Sequence, residues 1–354
     1  MKVLVTGAGP GGHGEQLVKA LRGSRFNKYE VHTADANSRL ASAGDMYSHT
    51  LPLASSPVYI EELLELCRIL KVEALFHGSE PEMIAISRNR SLFESRGIFL
   101  AMNHAEVIEL CMDKGALSQR LENIGFPVPR FKEASNQKFE VDDSWYPVIV
   151  KPQFGGGGSR DVYICQNNSE LEAIIVYLTA SHPEKRVVIQ EYVGSPFEEF
   201  TVGILHDSSG RFLGSAVMNR DLSSTLSVRQ RVTNVTPRHK LGAELVVSSG
   251  VSQGVLADFP TVADQCREIA EALESRGPLN IQLRLVEGKV LVFEINPRFS
   301  GTTSIRALAG FNEPDILLQS ELLGVTFEEP FHPKPGQLVR RLHETFTPDE
   351  LGPA

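Results

Sequence analysis

Apolar residues recur along this chain at two periods, and the switches between them mark out its elements. Lys2–Thr6 (KVLVT) is a continuous apolar run that reads as a short buried strand, and Gln16–Leu21 continues at helical spacing. Tyr29–Ala34 reads as a second strand, Ile60–Leu70 as a helix, Ala74–Phe76 as a third strand, Ile98–Ala101 as another and Ala105–Cys111 as a helix. Strand and helix thus alternate at first, the pattern of a parallel sheet with helices on its faces. Past the break Gly125-Phe126-Pro127-Val128-Pro129 the strands crowd together. Tyr146–Lys151, Asp161–Ile164, Arg186–Tyr192, Thr201–Leu205 and Phe212–Asn219 predict sheet, with helices over Asn168–Leu178 and Thr261–Ser275. The second of these helices sets Val262, Cys266, Ile269, Ala270 and Leu273 on one face.

The most informative stretch is Pro278–Thr303, where two apolar runs flank Glu287-Gly288 as in a β-hairpin. In the second run Val290, Val292, Glu294, Asn296 and Arg298 share one parity, and Leu291, Phe293 and Ile295 the other. A carboxylate on an otherwise apolar strand is costly unless a positive charge offsets it. A hard divalent cation does so, and Glu, Asn and Gln oxygens suit Mg²⁺. Gln282 and Asn280 on the partner strand supply further oxygens if the register allows. A two-residue loop alone sets Gln282 opposite Phe293. A three-residue loop, or one bulge, sets Gln282 opposite Glu294 and Asn280 opposite Asn296, and this second register is the one predicted.

Two glycine clusters follow strands. Gly7, Gly9 and Gly12 satisfy the dinucleotide fingerprint, with Asp35 ending the next strand where a ribose could be held. A nicotinamide-dependent oxidoreductase is therefore one reading, although the chain abandons the six-strand order after Ala74–Phe76. The other reading is a helix N-terminus offering N–H groups to an anionic substrate, beside that of a tight turn needed only for packing. Glu80 and Glu82, after the third strand, receive an amine or simply begin a helix. The second cluster, Gly155-Gly156-Gly157-Gly158-Ser159, follows Lys151 at a strand end. Four glycines together give a mobile backbone whose bare N–H groups can close on phosphates. This is no Walker A loop, because the lysine precedes the glycines.

Composition narrows the class. The 354 residues exceed one ordinary core, so two or three domains are expected. With 42 % apolar and 22 % charged residues, the chain is that of a soluble globular protein. Neither a bilayer-length apolar run nor a secretory leader is visible, which predicts a cytoplasmic protein with no membrane partner. The four cysteines, Cys67, Cys111, Cys165 and Cys266, have no CxxC spacing and read as buried, reduced thiols. A net charge of −9 argues against nucleic acid as a partner.

Gln282 followed by Glu294-Ile295-Asn296-Pro297-Arg298 resembles the Mg-nucleotide site of ATP-grasp enzymes, in their carbamoyl-phosphate-synthase-like branch. Met112-Asp113-Lys114, Lys151 with its glycines, Glu191-Tyr192-Val193 and Glu199 follow in the order that family requires, so the resemblance covers essentially the whole chain. It implies an α/β fold, α+β in the lid: a Rossmann-like pre-ATP-grasp domain (1–110), a lid (111–195) and a large subdomain carrying the Mg-nucleotide site (196–354). It implies ATP and two Mg²⁺ ions, with Mn²⁺ able to substitute, on Gln282, Glu294 and Asn296. Lys114, Lys151, Gly156, Gly157, Gly158 and Ser159 would grip phosphates. Backbone groups around Glu191, Tyr192 and Val193 would read adenine. Glu199 would take the ribose hydroxyls while Glu198 faces solvent, and Arg298 would contact the transferred phosphate. The implied reaction is ADP-forming ligation of a small-molecule carboxylate to an amine through an acylphosphate, in a homodimer. Gly301 stands where carbamoyl phosphate synthase is basic, so Arg306 is the candidate anchor for the substrate carboxylate. A regulatory nucleotide binder and a bicarbonate-phosphorylating enzyme are the alternatives. Arg220–Lys240 is expected to be mostly solvated loop, and the chain beyond Leu323 a C-terminal cover.

Overall fold

The computed structural model describes residues 1–25, 28–37, 47–134, 141–155, 157–180 and 186–341. They form two compact units, one from Met1–Met102 rejoined by the chain end from Val339, the other from Asn103–Leu338. The division precedes the helix Ala105–Met112 because Val107 and Cys111 on that helix pack into the core of the second unit.

The first unit is a five-stranded parallel sheet, β1 (Lys2–Val5), β2 (Glu30–Asp35), β3 (Ser48–Thr50), β4 (Ala74–Phe76) and β5 (Phe99–Leu100), in the order β3-β2-β1-β4-β5. Its central strands are buried throughout at Val3, Leu4, Val5, Ala74, Leu75 and Phe76, as strands of a parallel sheet covered on both faces must be. Strand β3 has too little apolar character to be read from sequence.

The glycine turn after β1 corrects an expectation. The Gly9 N–H donates to Asp35 Oδ2 at 2.8 Å and the Gly11 N–H to Glu15 Oε2 at 2.9 Å. These two donors are held by the protein's own carboxylates, and Asp35 is committed to the turn. The glycines serve close approach. A Cβ on Gly14 would strike the Gly7 carbonyl, and one on Gly78 the carbonyls of Thr6 and Gly7. Glu82 is buried against Tyr59 and Ser79, and burial raises its carboxyl above the usual range.

The second unit has three antiparallel sheets. Strands β6 (Phe131–Ala134), β7 (Val148–Pro152), β8 (Tyr163–Cys165) and β9 (Val187–Glu191) form a sheet in the order β6-β9-β7-β8. The helix Asn168–Ala180 covers it with Leu171, Ile175 and Leu178. The largest sheet runs β16-β15-β10-β11-β14-β17, from β10 (Glu199–His206), β11 (Phe212–Arg220), β14 (Gly254–Leu256), β15 (Pro278–Val286), β16 (Lys289–Asn296) and β17 (Gly336–Leu338). Thus the tail beyond Leu323 adds an edge strand instead of only a cover. The expected loop 220–240 contains β12 (Val228–Thr233), paired with β13 (Glu244–Ser248). The helix Pro260–Ala272 packs Val262, Cys266, Ile269 and Ala270 on one face of the large sheet, against Val202, Ile204, Ile281, Leu283, Val290, Val292 and Ile295. The opposite face of those strands is left for polar groups. All four cysteines are free and buried, and burial pushes the Cys67, Cys111 and Cys165 thiols up to about 12. No helix of the described residues is long and apolar enough to cross a membrane.

Candidate active site

The site is built on the polar face of β10, β15 and β16, and a single backbone irregularity sets it up. The hairpin turn has only two residues: Val286 pairs with Lys289, and Glu287 and Gly288 both have positive φ (51° and 77°), as a type I′ turn needs. Left regular, that turn would waste Gln282 on Phe293. A bulge intervenes, because Leu283 pairs with Val292 and Gln282 with Glu294, leaving Phe293 the extra residue. The bulge route of the predicted register is the one taken. It also corrects the simple alternation: Val290 and Val292 join Ile295 in the core, and the strand changes face before Glu294. Gln282 stands opposite Glu294 and Asn280 opposite Asn296, with Gln282 Nε2 donating to Glu294 Oε2 at 3.1 Å.

The bulge does a second thing. The Phe293 carbonyl turns toward β7 and accepts from Lys151 Nζ at 2.8 Å, while Gln190 Oε1 on β9 accepts from the same nitrogen at 2.8 Å. Lys151, only 5 % exposed, is lowered to about 7. Burial is the main cause, with Lys114 adding to it and the Glu294 charge opposing it. Lys114 opens the helix Lys114–Asn123, whose cap is the Asp113 carboxylate, accepting from Gly115 and Ala116 N–H groups. Gln153 Nε2 binds that carboxylate, and Lys114 Nζ donates to the Gly155 carbonyl at 2.5 Å. The Asp-Lys pair therefore fastens the near end of the glycine loop. Gly157–Ser159 is a turn with Gly158 at φ 71°, and Ser159 Oγ donates to the Ser248 carbonyl at 2.7 Å. Gly156 lies outside the described residues.

Most of these groups line one cleft. Lys114, Lys151, Ser159, Glu191, Tyr192, Val193, Glu199, Gln282 and Glu294 all face it, with Ile149, Val162, Val246 and Val247 as apolar walls. Around the hinge the Glu191 N–H donates to the Arg130 carbonyl at 2.8 Å, and the Val193 carbonyl accepts from Arg284 Nη1 at 3.1 Å. The Val193 N–H has no hydrogen-bond partner among the described residues. Glu199 is 2 % exposed, and its two oxygens meet Arg220 Nη1 at 3.2 Å and Arg284 Nη2 at 3.0 Å. A ribose there would use the remaining lone pairs of an already paired carboxylate. Glu198 is exposed and closes a capping box with Ser195.

Two arginines of the motif differ in role. Arg298 Nη2 donates to Asn296 Oδ1 at 3.0 Å and Nη1 to the Phe299 carbonyl at 3.1 Å. Arg306, expected to anchor a substrate, is instead an internal strut, 1 % exposed. Its Nη1 pairs with Glu313 at 2.8 Å, and its Nη2 holds Asn280 and Ser300, each at 2.7 Å, together with Thr302. Gly203 makes room for it, since a Cβ there would occupy the guanidinium.

Sequence reasoning passed over Arg220, Arg284 and Gln190. Arg284 was within reach, because it continues the Asn280, Gln282 alternation. Arg220 and Gln190 carry no local signal and become site residues only when the sheets are assembled. Gln190 Nε2 is buried without a partner, a donor held at the cleft wall.

The donor set fits a hard divalent cation: one carboxylate and two amides brought to one sheet face by register. Among the described residues no three His, Cys, Asp or Glu side chains gather for a metal, so a cation here would rely on amide oxygens. Gln282 would turn its oxygen inward, and Asn296 would trade its Arg298 bond for the ion.

Comparison with known proteins gives the context. A family model described as ATP-grasp in the biosynthetic pathway with Ter operon matches residues 224–345. The carbamoyl phosphate synthase large chain of Pseudarthrobacter chlorophenolicus is 26 % identical over 318 residues, 85 % of this chain but 26 % of that protein. The chain thus spans about a quarter of the length of that relative. Among solved structures, D-alanine–D-alanine ligase from Bacillus anthracis complexed with ATP superposes with a TM-score of 0.60 at 17 % identity, covering 92 % of this chain and 98 % of that one. Biotin carboxylase from Campylobacter jejuni gives 0.63 at 17 % identity, over 90 % and 70 %. The chain thus has the ATP-grasp fold, matches an ATP-grasp family model over residues 224–345, and is similar in sequence to the carbamoyl phosphate synthase large chain.

Proposed function

We propose that this protein is an ADP-forming ligase that uses ATP to activate a carboxylate as an acylphosphate for attack by an amine. The observation that carries the reading is the bulge at Phe293, which gathers Gln282, Glu294 and Asn296 beneath the cleft that holds Lys151. Phosphoryl transfer asks a protein for positioning and charge neutralisation more than covalent chemistry. Gln282, Glu294 and Asn296 would hold magnesium, as two ions, and the metal would supply that neutralisation; manganese accepts the same oxygen ligands. Lys114 and Lys151 meet the phosphates, the backbone of Gly157–Ser159 offers them its N–H groups, and Arg298 steadies the transferred group. Glu191, Tyr192 and Val193 hold the base, and Glu199 the ribose. In the same reading the first unit is the pre-ATP-grasp part and the second holds the lid and nucleotide parts of a cytoplasmic homodimer acting on small molecules.

The test is ADP release with MgCl₂ across a panel of carboxylic acids, amino acids and amines. One pair should raise the rate well above background, and Glu294→Gln should lower kcat/KM by about 100-fold or more while leaving the fold intact. No stimulation by any member, or an active Glu294→Gln enzyme, rejects the reading. The likeness to carbamoyl phosphate synthase favours bicarbonate as a second candidate acid. ADP release on bicarbonate alone identifies that case.

A further inference from the structure

Strand β9 runs Val187, Val188, Ile189, Gln190, Glu191, and its amide side chain is only 2 % exposed. Val187 and Ile189 pack with Val148 and Val150 beneath the helix Asn168–Ala180. Gln190 therefore falls on the opposite face of that sheet, the one that lines the cleft. There it stands across from Ile149, two residues along β7 from Lys151. Gln190 Oε1 accepts from Lys151 Nζ at 2.8 Å. That contact fixes which end of the amide is which, because a charged lysine has donors only. Nε2 then faces elsewhere in the cleft wall, and it has no partner among the described residues. A buried amide donor left unpaired is costly, and folded proteins keep few of them.

Lys151 leaves a matching opening. Of its three ammonium N–H groups, the Phe293 carbonyl takes one and Gln190 Oε1 another, so one remains for a ligand. A charged donor and a neutral one thus stand side by side on the same wall. An anionic oxygen, with several lone pairs, can accept from both at once, whereas a ligand cation or donor group finds no acceptor there. Hydrogen bonds to an ionised oxygen are also the stronger kind. Resting on the reading that the cleft takes a nucleotide with its phosphates at Lys151, we propose that Gln190 is a further binding residue of this site. Its Oε1 holds the lysine in place, and its Nε2 donates to the phosphate oxygen that the lysine meets.

Dissociation constants test this, for Mg·ADP by calorimetry and for adenosine, which has no phosphate, by ligand-observed NMR. Gln190→Met fills similar space but can neither hold the lysine nor donate. It should weaken Mg·ADP about tenfold or more, the usual scale for a hydrogen bond to a charged group, and leave adenosine within about twofold. The same change made in a Lys151→Met background separates direct contact from an effect passed through the lysine, and there it should still cost several-fold in Mg·ADP affinity. Unchanged Mg·ADP binding by Gln190→Met, an equal loss for adenosine, or no further loss in the Lys151→Met background each overturns the proposal. If the variants do not fold, crystals of the native protein with Mg·ADP decide: Gln190 Nε2 farther than about 3.5 Å from every phosphate oxygen also overturns it. Native protein that binds neither ligand overturns the nucleotide reading itself, which separates that failure from this one.

Discussion

Lys151 gives the sharpest expectation. Its ammonium is buried between two accepting carbonyl oxygens, and desolvation lowers it from 10.5 to about 7. At roughly 1.4 kcal/mol per decade, holding the charge in the ligand-free cleft costs about 5 kcal/mol. A polyphosphate restores the missing counter-charge and draws a proton onto the amine. At pH 8 a group with a value of about 7 is some nine-tenths neutral, so Mg·ADP binding should take up about 0.9 proton through this side chain, falling to about 0.1 at pH 6. Calorimetry in buffers of different ionisation enthalpy reads the uptake, and subtracting the Lys151→Met result isolates the lysine. Linkage gives an independent check. The folded-state value is depressed, so between about 7 and 10.5 the unfolded chain holds more protons and stability rises with pH. Urea unfolding of ligand-free native protein should gain roughly 3 kcal/mol relative to Lys151→Met between pH 7 and 9.5. Equal proton uptake in native and variant proteins at pH 8 would refute the assignment of this lysine to the phosphates.

Three further outcomes follow from the packing. Arg306→Ala leaves Glu313 buried without its cation, and urea unfolding should show a loss of 3–5 kcal/mol, roughly the figure for breaking a buried ion pair. Its KM for the carboxylate substrate should stay within about threefold of native, because Arg306 is a strut; a selective tenfold rise in KM without instability would restore it as an anchor. Gly203→Ala drives a methyl into the Arg306 guanidinium and should lower the melting temperature to a similar extent, whereas Gly336→Ala, with open space beside it and an ordinary backbone conformation, should cost far less. In the first unit Gly78→Ala pushes a Cβ into the carbonyls of Thr6 and Gly7, and thermal unfolding should reveal a loss of several kcal/mol.

The sequence alone determined what local pattern and residue chemistry can carry. Alternating strands and helices announced the parallel sheet, the helix stripe announced Cys266 and Ile269 in the core, and Gln282 with Glu294 and Asn296 announced a set of oxygens on one sheet face. It also narrowed the hairpin to the register that brings those oxygens together, because any other leaves a carboxylate stranded on an apolar strand. Only the tertiary structure decided the rest. A two-residue turn and a bulge at Phe293 deliver that register, and the extra residue frees a carbonyl for Lys151, a partner 142 positions away. Arg306 looked like a substrate anchor in one dimension, but Asn280, Ser300 and Glu313 surround it once the strands are laid side by side. Likewise Asp35 read as a ribose partner until the Gly9 N–H claimed its carboxylate. Period and residue type are properties of neighbours along the chain; the partner that claims a buried donor is set by which strands pair, and that is fixed only when the whole sheet closes.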